Sequence, residues 1–408
     1  MKNNEIILKR NNKIVYIDTE KEICITIGEN EFDYDVLKSK VKKMKKKEMK
    51  LQFQYGAVYL FVTRRCNMNC RFCAMNANKN VQKEKEMTIN DIKNKILPFL
   101  KLVNPRKIIV TGGEPLIRND IVEILKILKE ELDCIIIVQS NGTLVNDNIL
   151  EMIKGTVDEL DYSIGHMLDD KLYLMENIKQ TKDKVTENVV LSYVYTGNVK
   201  ELLSAFDVAK ELKIELLVTP VTPIGRGKNV RIDSINQLDL YINMAIYILE
   251  NNLEDSLLVN NLFTSIHFMK SCGGLGRELA IYPEGDVHMC KCIDDKVDYI
   301  GNVLLDDKND ILECWKMNTE KDKIKQLFHI EYKKICRDCE YKYLCGGMCG
   351  AELLQNNNES DCYIRKQILE FMLFNYEKNL PMRVNIMNFV RFLNEKKEKV
   401  QREADGLN

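Results

Sequence analysis

The segment VTRRCNMNCRFC, residues 62–73, places Cys66, Cys70 and Cys73 at a CX3CX2C spacing directly after an apolar stretch. Three thiolates can bind three irons of a [4Fe–4S] cube and leave the fourth iron without a protein ligand. An iron with an open position can bind a small molecule, as catalytic metal sites do. Zinc is the alternative, but three closely spaced cysteines make an incomplete tetrahedral set. The segment therefore predicts an iron–sulfur cluster with one open iron.

The composition is that of an ordinary soluble globular protein. Of 408 residues, 45% are hydrophobic and 30% are charged, and the formal net charge is −1. This charge gives no indication of attraction to nucleic acid or to an anionic membrane. No apolar run approaches the ~20 residues of a membrane span, and the N-terminal residues have no signal-peptide pattern. We therefore expect a cytoplasmic protein with no nucleic-acid partner and no membrane partner.

The distribution of the fourteen cysteines indicates metal binding rather than disulfides. Besides the three described above, nine lie between Cys272 and Cys362, and only Cys24 and Cys134 are isolated. Short spacings are typical of metal ligands in cytosolic proteins. We interpret Cys134 and Cys314 as buried apolar residues because their sequence surroundings are apolar.

From Gly56 onward, strand-like and helix-like segments alternate, a rhythm that predicts an α/β fold with a parallel sheet. Six such units predict a partial (β/α)6 barrel, in which the chemistry belongs at the carboxyl ends of the strands. The predicted strands are 57–63, 107–111, 135–140, 159–164, 189–196 and 215–219. The predicted helices include 88–102, 119–132, 199–212 and 235–250.

Three further segments lie at the ends of predicted strands. TGGEP, residues 111–115, ends the second strand, SNGTL, residues 140–144, ends the third, and Ser163 ends the fourth. Together with the CX3CX2C segment and its aromatic residue Phe72, they resemble the radical S-adenosylmethionine (SAM) superfamily. In that family the TGGEP segment meets the amino group of SAM, and its glycines let the backbone approach closely.

The resemblance implies the cofactors and the chemistry. The cluster reduces bound SAM to methionine and a 5′-deoxyadenosyl radical, which removes a hydrogen atom from the substrate. An external electron donor such as flavodoxin or ferredoxin is implied as well. At the end of the fourth strand, where family members usually have Ser-Ile-Asp-Gly, this chain has Ser163-Ile164-Gly165-His166. The Asp of the family motif is therefore missing. The residues implied in SAM binding are Phe72, Thr111, Gly112, Gly113, Glu114, Pro115, Ser140 and Ser163.

The C-terminal cysteines fit two further patterns. CX12GX4C is matched by Cys272, Gly285 and Cys290. CX2CX5CX3C is matched by Cys336, Cys339, Cys345 and Cys349, with Cys362 following after twelve residues. Seven cysteines in this order resemble the SPASM domain, the auxiliary-cluster extension of radical SAM peptide and protein maturases. The resemblance implies two auxiliary [4Fe–4S] clusters, and thus three clusters in the chain.

The resemblance also assigns the ligands by position. The distal auxiliary cluster is assigned to Cys336, Cys339, Cys345 and Cys362. The proximal one is assigned three ligands, Cys272, Cys290 and Cys349. Some members have a fourth cysteine six residues before the first, where this chain has Ile266. Either Cys292 is the fourth ligand, or the proximal cluster has an open iron for a substrate thiolate, which is the option we prefer. Zinc remains an alternative, since CX2C pairs are also zinc signatures.

Family members with this layout oxidise side chains of peptides or proteins. One branch converts a Cys or Ser of sulfatases to formylglycine and has an Asp base directly after the second proximal cysteine, where this chain has Lys291. The other branch matures ribosomally made peptides, and we prefer it, with a thioether or carbon–carbon crosslink as the expected product. The competing hypothesis is a non-catalytic iron–sulfur or zinc module, against which TGGEP argues because an electron carrier needs no SAM pocket.

The sequence leaves the catalytic base unknown. His288, Asp294 and Asp295 lie near the proximal cysteines, and we expect each to be a solvated surface residue.

The remaining sequence divides into smaller units. The sequence of residues 1–55 predicts three short strands and a helix. These elements resemble part of the winged-helix domain that many peptide maturases use to bind leader peptides. An exposed strand edge there could bind a leader by backbone hydrogen bonds, and a structural cap on the barrel is the alternative. The predicted units are 1–55, the barrel 56–230, a helical linker 231–271, the SPASM domain 272–365 and a helical extension 366–408.

Overall fold

The computed structural model describes residues 4–44, 56–80, 86–230, 232–293, 296–355 and 360–404. It begins with a three-stranded antiparallel sheet in the order β1-β2-β3, followed by a helix. Asn11 and Asn12 join the first two strands with φ angles of 49° and 56°, as a tight hairpin turn requires. The elements are β1 (Glu5–Arg10), β2 (Lys13–Asp18), β3 (Ile23–Gly28) and α1 (Tyr34–Lys43).

Six parallel strands form the predicted partial barrel. Each pairs in parallel with the next one in sequence, so the strand order follows the chain. Their observed bounds agree with the predicted ones to within one residue. The strands are β4 (Ala57–Thr63), β5 (Lys107–Gly112), β6 (Ile135–Ser140), β7 (Glu159–Ser163), β8 (Val189–Tyr195) and β9 (Glu215–Pro220).

Helices cover the outer face of these strands. The first begins at Thr88, whose side chain accepts a hydrogen bond from Asp91 N in a capping box, and it passes through a π-helical turn, Ile92–Ile96. The helices are α2 (Ile89–Asp91), α3 (Leu97–Val103), α4 (Ile121–Glu131), α5 (Asp147–Ile153), α6 (Lys171–Lys184), α7 (Val199–Leu212) and α8 (Ser234–Glu250).

The two faces of the sheet differ in their environment. In β4, Val58, Leu60 and Val62 are fully buried against the helices, whereas Ala57 and Tyr59 point into the barrel. Because side chains alternate along a strand, one face of each strand contributes to the main core and the other to the barrel interior. The interior faces carry the polar groups described below.

The C-terminal region extends the barrel sheet, which the sequence did not predict. Its first strand pairs in parallel with β4, and the other two follow antiparallel. The sheet thus has nine strands, in the order β12-β11-β10-β4-β5-β6-β7-β8-β9. The elements are β10 (Glu278–Ile281), β11 (Asp286–His288), β12 (Tyr299–Asn302), α9 (Lys308–Thr319), α10 (Asp322–Phe328), α11 (Lys342–Cys345), α12 (Gly350–Leu354), α13 (Ser360–Phe374) and α14 (Met382–Ala404).

The C-terminal helices are integrated with the rest of the molecule. Helix α13 runs across the boundary predicted between residues 365 and 366, and both α13 and α14 pack against α8. The aromatic rings of Phe263, Phe371 and Phe389 meet at this junction. The predicted helical extension therefore belongs to the main core.

The N-terminal unit packs on the C-terminal region. The two roles that the sequence leaves open for this unit, leader binding and a structural cap, stay predictions. Val15 and Ile17 of β2 are buried in one core with Tyr341, Leu369 and Phe374. The opposite face of β2 packs on α1. The basic segment KVKKMKKKEMK, residues 40–50, begins within α1, and its residues 45–50 lie outside the described residues.

Within the described ranges, no helix is both long and apolar enough to cross a membrane.

Candidate functional site

The three cysteines of the first motif lie in the loop that follows β4. The thiols of Cys66, Cys70 and Cys73 are close enough to interact electrostatically. Burial raises the pKa of both Cys66 and Cys70. Because a thiol binds iron only after it loses its proton, loading this loop with a cluster must release protons.

Arg226, in the short turn Gly225–Asn229 after β9, holds this cysteine loop. Its Nε donates to Cys70 O at 2.8 Å, and its Nη2 donates to Ala77 O at 2.8 Å. The backbone N of Arg226 donates to Cys73 O at 3.0 Å. The last strand of the barrel is thereby connected to the loop that follows the first one.

The two glycines of TGGEP approach the cysteine loop backbone to backbone. A Cβ on Gly113 would lie 2.1 Å from Arg65 O, and one on Gly112 would lie 2.3 Å from Thr63 O. Gly113 N donates to Thr63 O at 2.8 Å, and Glu114 N donates to Arg65 O at 2.9 Å. The requirement for glycine is thus explained by contact between two loops of the protein itself.

The side chains of Glu114 and Ser140 face each other inside the protein. Glu114 Oε1 accepts from Leu116 N and from Ser140 Oγ, both at 3.0 Å, and Oε2 accepts from Asn141 N at 2.7 Å. Burial raises the pKa of Glu114, and these hydrogen bonds oppose the rise. Glu114 and Ser140 are 0% and 2% exposed. These side chains join the β5 loop to the β6 loop, and Pro115 is buried as well. Their contact with SAM stays a prediction.

An amide network joins the β6 loop to the cysteine loop. Asn141 Nδ2 donates to Asn67 Oδ1 at 2.9 Å, and Asn67 Nδ2 donates to Thr143 Oγ1 at 2.7 Å. The same Asn141 amide lies 3.8 Å from Cys66 Sγ. The SNGTL segment thus positions the first ligand of the predicted cluster.

The end of β7 brings Ser163, His166 and Phe72 to the same region. A Cβ on Gly165 would lie 3.9 Å from Phe72 Cζ, which places this ring against the β7 loop. His166 is hydrogen-bonded to the backbone of Asn141, and burial lowers its pKa. Its Nε2 is buried without a hydrogen-bond partner among the described residues. A buried polar atom of this kind calls for a ligand.

These observations fit a [4Fe–4S] cluster and SAM. The possible cluster ligands are three thiols in one loop. His166 contributes a buried nitrogen without a described partner. The residues at the strand ends that are half-buried are Thr111, Gly112, Gly113 and Ser163. Within the described residues, no three His, Cys, Asp or Glu side chains close around a single metal-ion position. The ligand roles of the cysteines therefore stay predictions.

The proximal cysteines lie around the loop after β11. Cys349 and Cys290 are close enough to interact electrostatically, and burial raises the pKa of Cys349 to about 11. The thiol of Cys290 is hydrogen-bonded to that of Cys292, and this contact together with burial strongly raises the pKa of Cys290. Cys292 N also donates to Cys290 Sγ at 3.4 Å. The structure thus places Cys292 beside the predicted ligands.

His288 and Asp298 hold this loop from within. His288 Nδ1 and Asp298 Oδ1 are 2.8 Å apart, and Cys290 N donates to Asp298 Oδ2 at 3.2 Å. The expectation that His288 is a solvated surface residue is wrong, since it is 4% exposed and bound to Asp298. Asp294 and Asp295 lie outside the described residues.

The distal cysteines come together between α11 and α13. Cys339 and Cys362 are each within electrostatic range of both Cys336 and Cys345. Burial raises the pKa of Cys362 to about 11. All four cysteines assigned to the distal cluster therefore share one neighbourhood. Cys134 and Cys314 are half-buried against the main core, and Cys24 against the core that β2 shares with the C-terminal region.

The barrel interior, between the first cysteine loop and the proximal group, is polar. Gln139 Nε2 donates to Asp161 Oδ2 at 2.8 Å, and Ser192 Oγ donates to Asp161 Oδ1 at 2.7 Å. Burial raises the pKa of Asp161, and the two hydrogen bonds and the charge of Lys291 oppose the rise. Lys291 donates to the Tyr59 hydroxyl and lies 4.1 Å from the centre of its ring. The proximal group thus borders the interior of the barrel.

The family comparison covers the part of the chain that carries the first site. Residues 60–236 match the model of the radical SAM superfamily, and this range contains the CX3CX2C loop, TGGEP, Ser163 and Arg226. Residues 60–236 form a radical SAM domain.

Solved structures with this domain resemble almost the whole chain. Streptococcus suis SuiB bound to S-adenosylmethionine has a TM-score of 0.56 at 14% identity, covering 88% of this chain and 97% of SuiB. SuiB bound to its precursor peptide SuiA has a TM-score of 0.54 at 15% identity, covering 86% of this chain and 95% of SuiB. The anSMEcpe protein with bound AdoMet has a TM-score of 0.57 at 16% identity, covering 86% and 97%. At these identities the similarity shows the fold, and it confirms the predicted fold class.

Curated relatives match only part of the chain. GTP 3′,8-cyclase of Clostridium perfringens is 26% identical over 185 residues, which are 42% of this chain and 56% of the relative. The chain spans between 14% and 56% of the length of the curated relatives it matches. The name of the Clostridium perfringens relative is that of an enzyme.

The structure adds residues to the radical SAM domain that the sequence analysis did not identify. Arg226, Asn67, Asn141 and Thr143 position the cysteine loop, and His166 offers an unpaired nitrogen. The motif SNGTL contained a signal for Asn141, but its reach to Asn67 depends on the fold. Arg226 had no signal beyond the Gly-Arg-Gly sequence after the last strand.

Proposed function

We propose that this chain is a radical SAM maturase that installs an oxidative crosslink, a thioether or a carbon–carbon bond, in a ribosomally made precursor peptide. The observation that carries the proposal is the contact between Lys291 and Tyr59, which places the proximal cysteine group at the wall of the barrel interior. A substrate in that interior would be accessible from both the SAM side and the proximal side. The similarity to SuiB, which has been crystallised with its precursor peptide SuiA, supports a peptide substrate.

The proposed cofactors are SAM and three [4Fe–4S] clusters. Cys66, Cys70 and Cys73 would hold the first cluster, which together with SAM supplies a radical that removes hydrogen atoms. The auxiliary clusters would be held by the proximal and distal cysteine groups, and an external donor such as flavodoxin or ferredoxin would supply electrons. The half-buried backbone of Thr111–Gly113 would orient SAM, and His166 Nε2 would donate or accept its remaining hydrogen bond.

The polar groups of the interior would bind and orient the peptide. Asp161 and Ser163 are two residues apart on β7, so they share the interior face and lie at successive depths. Asp161 is 8% exposed and is held by Gln139 and Ser192. This fixed carboxylate is suited to accept a hydrogen bond from a peptide group. Leu217 of β9 is 44% exposed, which leaves the interior accessible along that edge.

The alternative is a sulfatase-type maturase that forms formylglycine. That branch has an Asp base after the second proximal cysteine, whereas Lys291 occupies the position here. The ammonium group of Lys291 donates to Tyr59, so it acts as a donor in this structure and cannot take the place of a carboxylate base. The position therefore favours the peptide-crosslinking branch.

The first test combines metal content with peptide assays. Anaerobically reconstituted protein is expected to bind about twelve irons and twelve sulfides, and the triple variant Cys66→Ala, Cys70→Ala, Cys73→Ala about eight, since each cube holds four irons. Wild-type protein is then incubated with SAM, a reductant and short Cys-containing peptides encoded beside its gene, with a sulfatase peptide as comparator. A crosslink is detected as the loss of two hydrogen atoms by mass spectrometry.

Each outcome decides between the alternatives. Modification of a Cys-containing precursor supports the proposal, whereas modification of the sulfatase peptide alone would establish the formylglycine branch. A Cys70→Ala variant separates both from a non-catalytic module. If the protein is an enzyme, wild type cleaves SAM and the Cys70→Ala variant does not. A non-catalytic scaffold would cleave no SAM either as wild type or as the variant.

A further inference from the structure

Lys333 is a lysine enclosed between the two auxiliary cysteine groups. It is 2% exposed, while its neighbours Lys334 and Ile335 are exposed. Its Nζ donates to Met348 O at 2.6 Å, in the segment that joins Cys345 to Cys349. One of these two cysteines is assigned to the distal group and the other to the proximal group, so the ammonium binds the segment that connects them.

The stem of Lys333 packs against the same segment. A Cβ on Gly347 would lie 3.2 Å from Lys333 Cδ and 3.3 Å from Cys336 Sγ, so the three groups share one small space. Gly347 has a φ of +80°, a conformation that suits glycine. The absence of a side chain at this position leaves room for the lysine beside a distal ligand.

The charge of Lys333 has no carboxylate partner in the described part of the chain. No ion pair joins it to an Asp or Glu there. Burial lowers the pKa of Lys333, and the groups that oppose this are Cys272 and Cys349 on the proximal side and Cys336 and Cys345 on the distal side. Burying an ammonium group without a counter-charge is costly. An apolar residue of similar length would avoid this cost, so the lysine indicates that negative charge is present on both sides of it.

We propose that Lys333 is the shared counter-charge of the two auxiliary clusters and that its ammonium group raises the reduction potential of both. The inference rests on the proposed function, which assigns a cluster to each cysteine group. A [4Fe–4S] cluster bound by three or four thiolates carries negative charge, and reduction adds one more electron to it. A fixed positive charge stabilises the reduced state more than the oxidised state, so it makes the cluster easier to reduce.

The test measures reduction potentials in the absence of SAM and peptide. The background is the full chain with Cys66→Ala, Cys70→Ala and Cys73→Ala, in which the auxiliary clusters alone contribute the electron paramagnetic resonance signal. Lys333→Met removes the charge and keeps the length of the stem. Lys334→Met, one residue away on the surface, is the matched control, and Lys333→Arg keeps the charge.

We expect Lys333→Met to shift both midpoint potentials to more negative values, while Lys334→Met and Lys333→Arg leave them close to those of the background. Unchanged potentials in Lys333→Met with about eight irons retained would overturn the inference. If Lys333→Met loses iron, the Lys333→Arg variant decides between charge and shape. Iron content and potentials retained in Lys333→Arg support the role of the charge. An equal loss of iron in Lys333→Arg would overturn the proposal and show that the lysine acts only through its shape. A background that binds no auxiliary iron at all would instead refute the cluster assignment of the proposed function.

Discussion

Gly113 is the point at which the loop after β5 touches the loop that carries the three cysteines. The backbone of Gly113 donates to Thr63 O, and the position of its missing Cβ lies 2.1 Å from Arg65 O. Since Arg65 directly precedes Cys66, any displacement there moves the first predicted ligand. The glycine thus acts on the cluster through the shape of the backbone.

Gly113→Ala should therefore disturb the first cluster and spare the other two. We expect the reconstituted variant to lose about four irons per chain, because one cube of three is affected. Iron and sulfide analysis measures the effect, with Gly28→Ala as control, since a Cβ there would meet its nearest neighbour at 3.9 Å. A Gly113→Ala protein with unchanged iron content would contradict the prediction.

His166 offers a test of the SAM pocket that does not depend on the peptide. Its buried Nε2 has no described partner, so we expect it to bind SAM. His166→Phe keeps an aromatic ring and removes the hydrogen bond, which should weaken SAM binding about tenfold, equivalent to ~1.4 kcal/mol. Calorimetry on anaerobically reconstituted protein measures the dissociation constant. The exposed His267 provides the control His267→Gln, and equal affinity in all three proteins would show that His166 does not contact SAM.

At the scale of elements, the incomplete barrel has two open edges, and the chain covers them in different ways. The edge of β4 is paired with β10. At the edge of β9, the side chain of Asn261 binds two backbone groups: its Nδ2 donates to Leu216 O at 2.8 Å, and its Oδ1 accepts from Val218 N at 2.9 Å. An unpaired edge would leave backbone groups unsatisfied or open to pairing with other chains.

Asn261→Ala should destabilise this edge. The variant leaves Leu216 O and Val218 N without their partner, at a cost of about 1–3 kcal/mol in the free energy of unfolding. We expect a melting temperature lowered by several degrees, measured by circular dichroism. Asn394→Ala on an exposed helical face is the control, and equal melting temperatures for the two variants would contradict the role of Asn261.

The sequence predicted those elements whose pattern is local. The six barrel strands are runs of apolar residues ended by turn signals, and helix 199–212 was predicted with the bounds Val199–Leu212 that the structure shows. β10 to β12 were missed because they contain only four, three and four residues, too few to show a period. Their pairing with β4 depends on a contact between distant parts of the chain.

The candidate site shows the same division between local and distant information. Cysteine spacing is local, so the ligand groups could be proposed from the sequence. Arg226 and Cys70 are 156 positions apart in the sequence. Lys333 lies between two cysteine groups whose proximity is not evident from the sequence. Glu114 and Ser140 lie in recognisable motifs, but the direction in which their side chains point is set by burial between two strands.

For the molecule as a whole, the N-terminal and C-terminal residues form one joint structure. Arg10 Nη2 donates to Glu340 Oε1 at 2.6 Å, and Lys13 Nζ donates to Tyr376 O at 2.8 Å. Tyr341 and Leu344, which flank the distal cysteines, share a core with β2. The unit that we compared with a leader-binding domain therefore also supports the distal group. Among the described strands, β1 and β3 each pair only with β2, so the outer edge of each has no strand partner there.

The pairing of β4 with β10 has a consequence for synthesis on the ribosome. Ala57 and Glu278 are register partners, so about 220 residues must be translated before β4 gains its second neighbour. At the usual rate of about 5–20 residues per second, this takes roughly 10–45 s. During that interval the nascent chain has its first cysteine loop but an unfinished sheet, so the pairing of β4 with β10 is a late event of folding on the ribosome.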